Sequence, residues 1–353
     1  MRIAAEVDTP PFLCIDAGYT LTRFAVFRDG ELSSPHKVPT INTRRLYGLD
    51  SNRRMSSWLS WLAKNAAKVL SEEPSVNRAC LCFPGVVDED GSIFRSNSIW
   101  GNADADLATE KISETLGMPT TVLNDLVAAA VRYGEDPTLL NQRTIAVISI
   151  SSGIGAKIYD RMSRRVVLEP HGRNGELGLA VVDYSPNALT NDNGRLRGIL
   201  GNYASGTGYA RLFTQMAMID PEAYANSAVA KQLACHNRNL ESIDRVTLNE
   251  YATSAINSGD AFALSVLHAS IVYLARALHI VILFDSPDLI VLTGGFVTSV
   301  GEIYRTMLVD ELCLNLRLLY SNSDVDQMVR LGAGDDQDNL LGAARWVSSQ
   351  SEV

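Results

Sequence analysis

Two stretches of this 353-residue chain share one design, and that repetition constrains the fold more than anything else in the sequence. Leu13 to Ile15 leads into Asp16-Ala-Gly-Tyr-Thr20 and then Arg23-Phe-Ala-Val-Phe27. Thr144 to Ile150 leads into Ser151-Ser-Gly-Ile-Gly155 and then Ala156 to Tyr159. Each reads as strand, glycine turn, strand, so the chain is expected to hold two related α/β halves. Length agrees, because single hydrophobic cores stop growing beyond roughly 250–300 residues. Glycine lets backbone amides approach a phosphate closely, and each turn carries a hydroxyl, at Thr20 and at Ser152. Asp16 adds a carboxylate able to hold a hydrated Mg²⁺. Taken alone, the first turn is equally a plain hairpin turn.

Between the two turns lies Thr121 to Ala130, TVLNDLVAAA: an apolar run, then Asn124-Asp125, then a helix of small residues. An apolar strand ending in a carboxylate that also caps the next helix puts that acid at a strand's carboxyl end, the edge where open α/β sheets build their sites. Asp125 is the candidate catalytic base; the alternative is that it only caps its helix.

Elsewhere the pattern is coarser. Trp58, Leu59, Leu62, Ala66, Val69 and Leu70 recur at helical spacing, which makes Trp58 and Trp61 packing residues. Cys80 and Cys82 fall on one face of the strand Ala79 to Phe83 and read as buried thiols. The loop from Pro84 to Trp100 offers Asn97 as donor and acceptor to a polyol hydroxyl and Trp100 as an apolar wall; the alternative is an Asn in a turn and an anchoring Trp. His171 and Glu176, in His-Gly-Arg-Asn-Gly-Glu-Leu-Gly, form a second polar loop. Ser205-Gly206-Thr207 caps a helix, alone or beside a nucleotide. Leu289 to Thr293 is a buried strand ending in Gly294-Gly295, which permits close backbone approach.

Charge and composition remove other classes. A formal net charge of −9 argues against a nucleic-acid surface. Five cysteines without framework spacing suit a reducing cytosol. No apolar run reaches the ~18–20 residues of a membrane span, and the first residues lack a signal-peptide apolar region. A cytoplasmic protein is expected.

The motifs resemble the ROK family (repressors, open reading frames and sugar kinases) of the actin and hexokinase superfamily, across nearly the whole length. The carrying pieces are IDAGYTLTRFAVF, FPGVVDEDGSIFRSNSIWGN, VLNDLVAAA, SISSGIGAKI with NGELG, NYASGTG and LIVLTGG, in the family's order. The resemblance implies two RNase H-like domains with an interdomain cleft, 1–124 plus 337–353 and 125–336, ATP and Mg²⁺ as cofactors, and commonly a homodimer. It puts Asp125 at the catalytic base and Asn97, Asn124 and Glu176 at sugar contacts. Asp16, Gly18, Thr20, Ser152 and Gly153 fall at the phosphates, and Gly294 and Gly295 where the family approaches adenosine.

The departures are informative. The family's Gly-Glu-x-Gly-His ends here in Leu179, so the usual sugar-binding histidine is gone. Where the family has a zinc cluster of cysteines followed by a sugar-binding Glu, this chain has Asn191 to Ile199 and then Gly201. No structural zinc is expected, since Asn and Ile cannot replace thiolates. A pocket that gives up a His and a Glu is poorly matched to glucose, because polar contacts dominate discrimination among hydroxylated substrates. The pattern resembles the C7-cyclitol kinases of pseudosugar antibiotic pathways. The competing expectations are a glucokinase or N-acetylhexosamine kinase, and a sugar-sensing regulator. The family's repressors carry a DNA-binding domain before the first turn, where this sequence has about eleven residues.

Overall fold

The computed structural model describes residues 10–96, 99–101, 107–169, 171–191 and 194–350. The chain runs β1 (Phe12–Ala17), β2 (Leu21–Arg28), β3 (Glu31–Leu32), β4 (His36–Pro39), α1 (Ser51–Leu70), β5 (Ala79–Phe83), β6 (Val86–Val87) and β7 (Ile93–Arg95). Next come α2 (Thr109–Leu116), β8 (Thr120–Asn124), α3 (Asp125–Gly134), β9 (Thr144–Ile150), β10 (Ile154–Asp160) and β11 (Arg165–Val166). A helical stretch follows: α4 (Gly206–Ile219), α5 (Pro221–Asn226), α6 (Ala228–Cys235), α7 (Arg245–Asn257) and α8 (Ala261–Asp285). The chain closes with β12 (Leu289–Thr293), α9 (Gly295–Val300), α10 (Glu302–Leu316), α11 (Asn322–Met328), β13 (Val329–Leu331) and α12 (Asp338–Gln350).

Contacts divide the chain into two units. One comprises Met1–Asn141, Tyr159–Asn174 and Asp335–Val353; the other comprises Gln142–Ile158 and Gly175–Gly334. In the first, strand order is β3-β2-β1-β5-β8, with β4 also on β2. β1 is antiparallel to β2 and parallel to β5, which is parallel to β8. The central strands are buried on both faces, so they read as continuous apolar runs rather than alternating ones. Leu13, Ile15, Leu81 and Phe83 join a core with Trp58, Leu59 and Leu62 of α1. Phe12, Cys14, Cys80 and Cys82 face the other way, onto Ala128 of α3 and Leu340, Ala343 and Ala344 of α12. The thiol expectation holds: Cys80 and Cys82 share a face and are buried.

The run of alanines in α3 has a steric cause. α12 crosses α3 so closely that a Cβ on Gly342 would overlap the carbonyl of Ala128. Arg132 of α3 donates to both carboxylate oxygens of Asp335, at 2.7 and 2.6 Å. It also pairs with Asp338 of α12 at 2.7 Å. α3 therefore groups with 335–353, not with 125–336 as expected. Residues 159–174 join the same unit: Gly172 abuts the Val87 carbonyl, and Arg173 lies 5.4 Å over the ring of Phe94.

The sheet that carries the second unit has the order β11-β10-β9-β12-β13, with β11 and the last residues of β10 falling in the 159–174 segment counted with the first unit. Counted from its own first strand this is 3-2-1-4-5, the order found in the first unit, as the repeated strand-turn-strand design implies. Its core gathers Ile148 and Ile150 of β9, Leu292 of β12, Tyr209 and Phe213 of α4, and one face of α8. At 25 residues, α8 is long and apolar enough to cross a membrane by length and composition alone. The expectation that no apolar run reaches the ~18–20 residues of a span does not hold for this helix. Its Phe262, Val266, Ile271, Leu274, Leu278 and Ile282 are buried, which makes it the packing helix of this unit.

Candidate active site

Register brings the first unit's chemistry to one sheet edge. Asp16 lies opposite Cys82, and Cys82 opposite Leu123, so the ends of β1, β5 and β8 share a level. Asn124 and Asp125 follow directly. The capping role anticipated for Asp125 falls to Asn124, whose side-chain oxygen accepts from Leu126 and Val127 at 3.0 and 3.2 Å. Its amide donates to the Gly85 carbonyl at 2.8 Å, tying β8 to the Pro84-Gly85 turn. Asp125 is the first helical residue, half-buried, and accepts the Leu126 N–H at 2.9 Å.

The first glycine turn is tied down from behind. The Gly18 carbonyl accepts from the Thr40 hydroxyl at 2.7 Å, the Tyr19 carbonyl from Asn42 at 2.8 Å, and the Thr20 carbonyl from the Thr40 N–H at 3.0 Å. A Cβ on Gly18 would sit 2.7 Å from the Leu21 carbonyl, so only glycine closes this turn without movement. Asp16 is 5% exposed. One oxygen accepts from Asn339 at 2.8 Å and the other from Arg23 at 3.0 Å. Burial pushes its carboxyl above the ordinary value, while Arg23 and Asn339 pull it back.

Among the described residues no group of three or more His, Cys, Asp or Glu could hold a metal. Asp16 nonetheless fits Mg²⁺ of the kind that keeps its waters and takes substrate phosphates, since each of its oxygens accepts from one side-chain donor and keeps a lone pair beyond it.

The loop expected to contact substrate is partly in view. His171 is exposed, in a segment seated on β6 and β7. Asn97 lies outside the described residues. Trp100 is not an apolar wall: it is fully buried, stacked on Phe83 at 5.1 Å and edge-on to Trp58 at 5.8 Å. An aromatic that fills the core of its own unit gains more from burial than one lining a polar loop.

In the second unit the Ser151-Ser152-Gly153 turn is bolted to the start of α4. Gly206 N–H donates to the Ser151 carbonyl at 2.7 Å, and the Thr207 hydroxyl donates to the Ser152 carbonyl. Ser205 caps the helix by accepting from Gly208 N–H at 2.9 Å. Gly294, at φ +97°, passes over the end of β9: a Cβ there would stand 2.7 Å from the Ile150 carbonyl. Ser152, Gly153, Gly206, Gly294 and Gly295 thus gather at one edge of one sheet. Glu176 reaches the same neighbourhood, because Gly175 accepts from the Ala156 N–H at 2.7 Å. Glu176 presents surface to solvent, yet protein crowding raises its pKa, with Lys157 pulling it down. Leu179 is exposed, and Gly201 packs against the Gly178 backbone, where a Cβ would stand 3.2 Å from the carbonyl.

The segment before α4 is held by hydrogen bonds. Tyr203 donates to Asp183 at 2.5 Å and accepts from Leu189 N–H at 2.6 Å, and Asn202 donates to the Leu189 and Leu196 carbonyls. Sequence reasoning missed this network. It also missed Arg23, Asp336 and Asn339 around Asp16. The available signals were an arginine within a buried strand and an Asp-Asp-Gln-Asp-Asn cluster opening the last helix.

Comparison with known proteins agrees with this geometry. The ROK family model matches residues 12–350, and the chain belongs to that family. The C(7)-cyclitol 7-kinase of Streptomyces hygroscopicus subsp. limoneus is 27% identical over 344 residues, 95% of this chain and 93% of that protein. The 2-epi-5-epi-valiolone 7-kinase of an Actinoplanes species is 24% identical over 94% of this chain and 91% of that one. A ROK family glucokinase from Streptomyces griseus, solved with glucose and AMPPNP, superposes with a TM-score of 0.70 at 20% identity, covering 95% of this chain and 98% of that one. The fold is the α/β actin/hexokinase-like one expected, and the class is a carbohydrate kinase.

Proposed function

We propose that this chain transfers the γ-phosphoryl group of ATP to a hydroxyl, the primary one, of a C7-cyclitol of the valiolone type. The observation that carries the choice of substrate is the pair Leu179 and Gly201. Where the family resemblance calls for a histidine and a glutamate, this chain has an exposed aliphatic side chain and a glycine against backbone. Two hydroxyl partners are absent together, which favours a substrate other than glucose. One relative named a C(7)-cyclitol 7-kinase and another named a 2-epi-5-epi-valiolone 7-kinase support the same reading.

In this reading Asp125 accepts the proton of the attacking hydroxyl. Asn97, Asn124, Glu176 and His171 orient the ring, and Gly294 and Gly295 leave room for adenosine. The turns at Gly18-Thr20 and Ser152-Gly153 hold the phosphates, with Gly206 fixing the second turn. Mg²⁺ would supply charge neutralisation of the phosphates, and Asp16 would hold it through water. Because phosphoryl transfer has a loose transition state, positioning and charge balance are most of the catalysis. A homodimer in the cytoplasm belongs to the same proposal, and light scattering of the purified chain tests the dimer.

A coupled ATPase assay comparing valiolone-type cyclitols with glucose and N-acetylmannosamine tests the substrate. A higher kcat/KM for the cyclitols supports the proposal. Preference for a hexose returns the chain to the glucokinase or N-acetylhexosamine kinase class, and no turnover with retained sugar binding makes it a regulator.

A further inference from the structure

We propose that Arg23 is a positioning residue of the nucleotide site: clamped by Asp336, its guanidinium holds Asp16 beneath the first phosphate turn and supplies that turn with a resident positive charge. This rests on the kinase reading above. Arg23 stands directly across from Asp16 in the β1–β2 register. One terminal nitrogen donates to Asp16, and Nε, at 2.9 Å, and the other terminal nitrogen donate to Asp336. The fork is thus used on both sides, a geometry that lysine cannot reproduce. The terminal nitrogen on Asp16 also stands 3.7 Å from where a Gly18 Cβ would be, so the charge lies under the turn itself.

Two considerations make this more than a structural pair. A carboxylate as buried as Asp16 needs a partner at all times, and a metal that arrives and leaves with the nucleotide would leave it uncompensated between cycles. Arg23 stays. Secondly, Asp16 and Asp336 alone would set two negative charges at a turn meant for a polyphosphate. Arg23, with Lys37 at 3.2 Å from Asp336, brings the four side chains to neutrality. Asp336 belongs to the short run that also sends Asn339 to Asp16 and Asp335 and Asp338 to Arg132, so the start of α12 holds Asp16 and α3 together.

The test is calorimetric titration of ADP into the full-length chain at low and saturating Mg²⁺, with melting curves. Variants are Arg23→Gln, Arg23→Lys and Asp336→Asn, the last at a half-exposed position where folding is least at risk. Arg23→Gln should weaken ADP about tenfold, the equivalent of one charge-assisted contact, and raise the Mg²⁺ concentration needed for half-maximal binding. Arg23→Lys should recover part of that loss, and Asp336→Asn should move both quantities the same way by less. Unchanged affinity and Mg²⁺ dependence in Asp336→Asn, with Arg23→Gln either unchanged or merely less stable, would overturn the assignment. If the unaltered chain binds no ADP, the kinase reading itself fails, and Arg23's role with it.

Discussion

The two units share a strand order and differ in how they finish it. The last strand of the first unit's sheet, β8, closes on Asn124 and leads into Asp125 of α3, while β13 of the second leads into Gly332-Ala333-Gly334. The glycine turns diverge as well. The first has its carbonyls held by Thr40 and Asn42, and the Asp16 that precedes it is held by Arg23 and Asn339. The second is fixed by backbone and close approach, through Gly206, Thr207 and Gly294. One topology thus carries two differently held turns, one preceded by a buried ion pair and the other held by backbone hydrogen bonds and close approach.

The largest expected break in this comparison is at Asp125. Asp125→Asn should lower kcat by about 10²- to 10⁴-fold, the usual range for a general base, with the melting curve held. Steady-state kinetics on the preferred polyol measures it, and substantial retained turnover would remove the base from Asp125.

Next is the steric character of the second unit. Gly294→Ala must adopt a positive φ and press its Cβ toward Ile150, at a cost of roughly 2–4 kcal/mol of stability. Gly295→Ala, one residue on, has nothing within 4 Å and should melt like the parent. Similar melting temperatures for the two variants would contradict the close approach.

A smaller effect separates the first unit by pH. The Arg132 hydrogen bond is the main cause holding the Asp335 carboxyl below its ordinary value. Its contribution is therefore whole above the unfolded pKa of about 3.9 and is lost as pH falls through the folded value. Asp335→Asn should cost more melting temperature at pH 7 than at pH 3. Burial raises Asp16 and Asp338 instead, so their contributions fall as pH rises, and equal losses at both pH values would take Asp335 out of the balance.

The smallest change should come from Gly153→Ala. Nothing lies within 4 Å of a Cβ there, so the fold should be untouched and only KM for ATP should rise. A large drop in stability would show that this turn, like the first, depends on glycine sterically.

Much of this was legible from the sequence. Strand-turn-strand repetition and the apolar run into Asn124-Asp125 are local signals, set by side-chain alternation and turn chemistry. For Trp100 the sequence leaves wall and anchor open, because an aromatic in a polar loop can face solvent or core until the loop is seen folding its ring onto Phe83 and Trp58. The unit boundary was displaced for a related reason. No local pattern says that α3 will be covered by a helix two hundred residues later, although Gly342 and the small residues of α3 leave no room for anything bulkier.

The sequence by itself determined that two halves of one design exist, that each bears a glycine turn with a hydroxyl, and that a single acid follows a buried strand. Those features depend on neighbours within a few residues. Only tertiary structure decided that Asp16 would be matched by Arg23 and Asn339 rather than left to solvent, and that α12 would lie against the alanines of α3. Charge pairing and close helix crossing act between residues far apart in the chain, and distance along the chain carries no record of them.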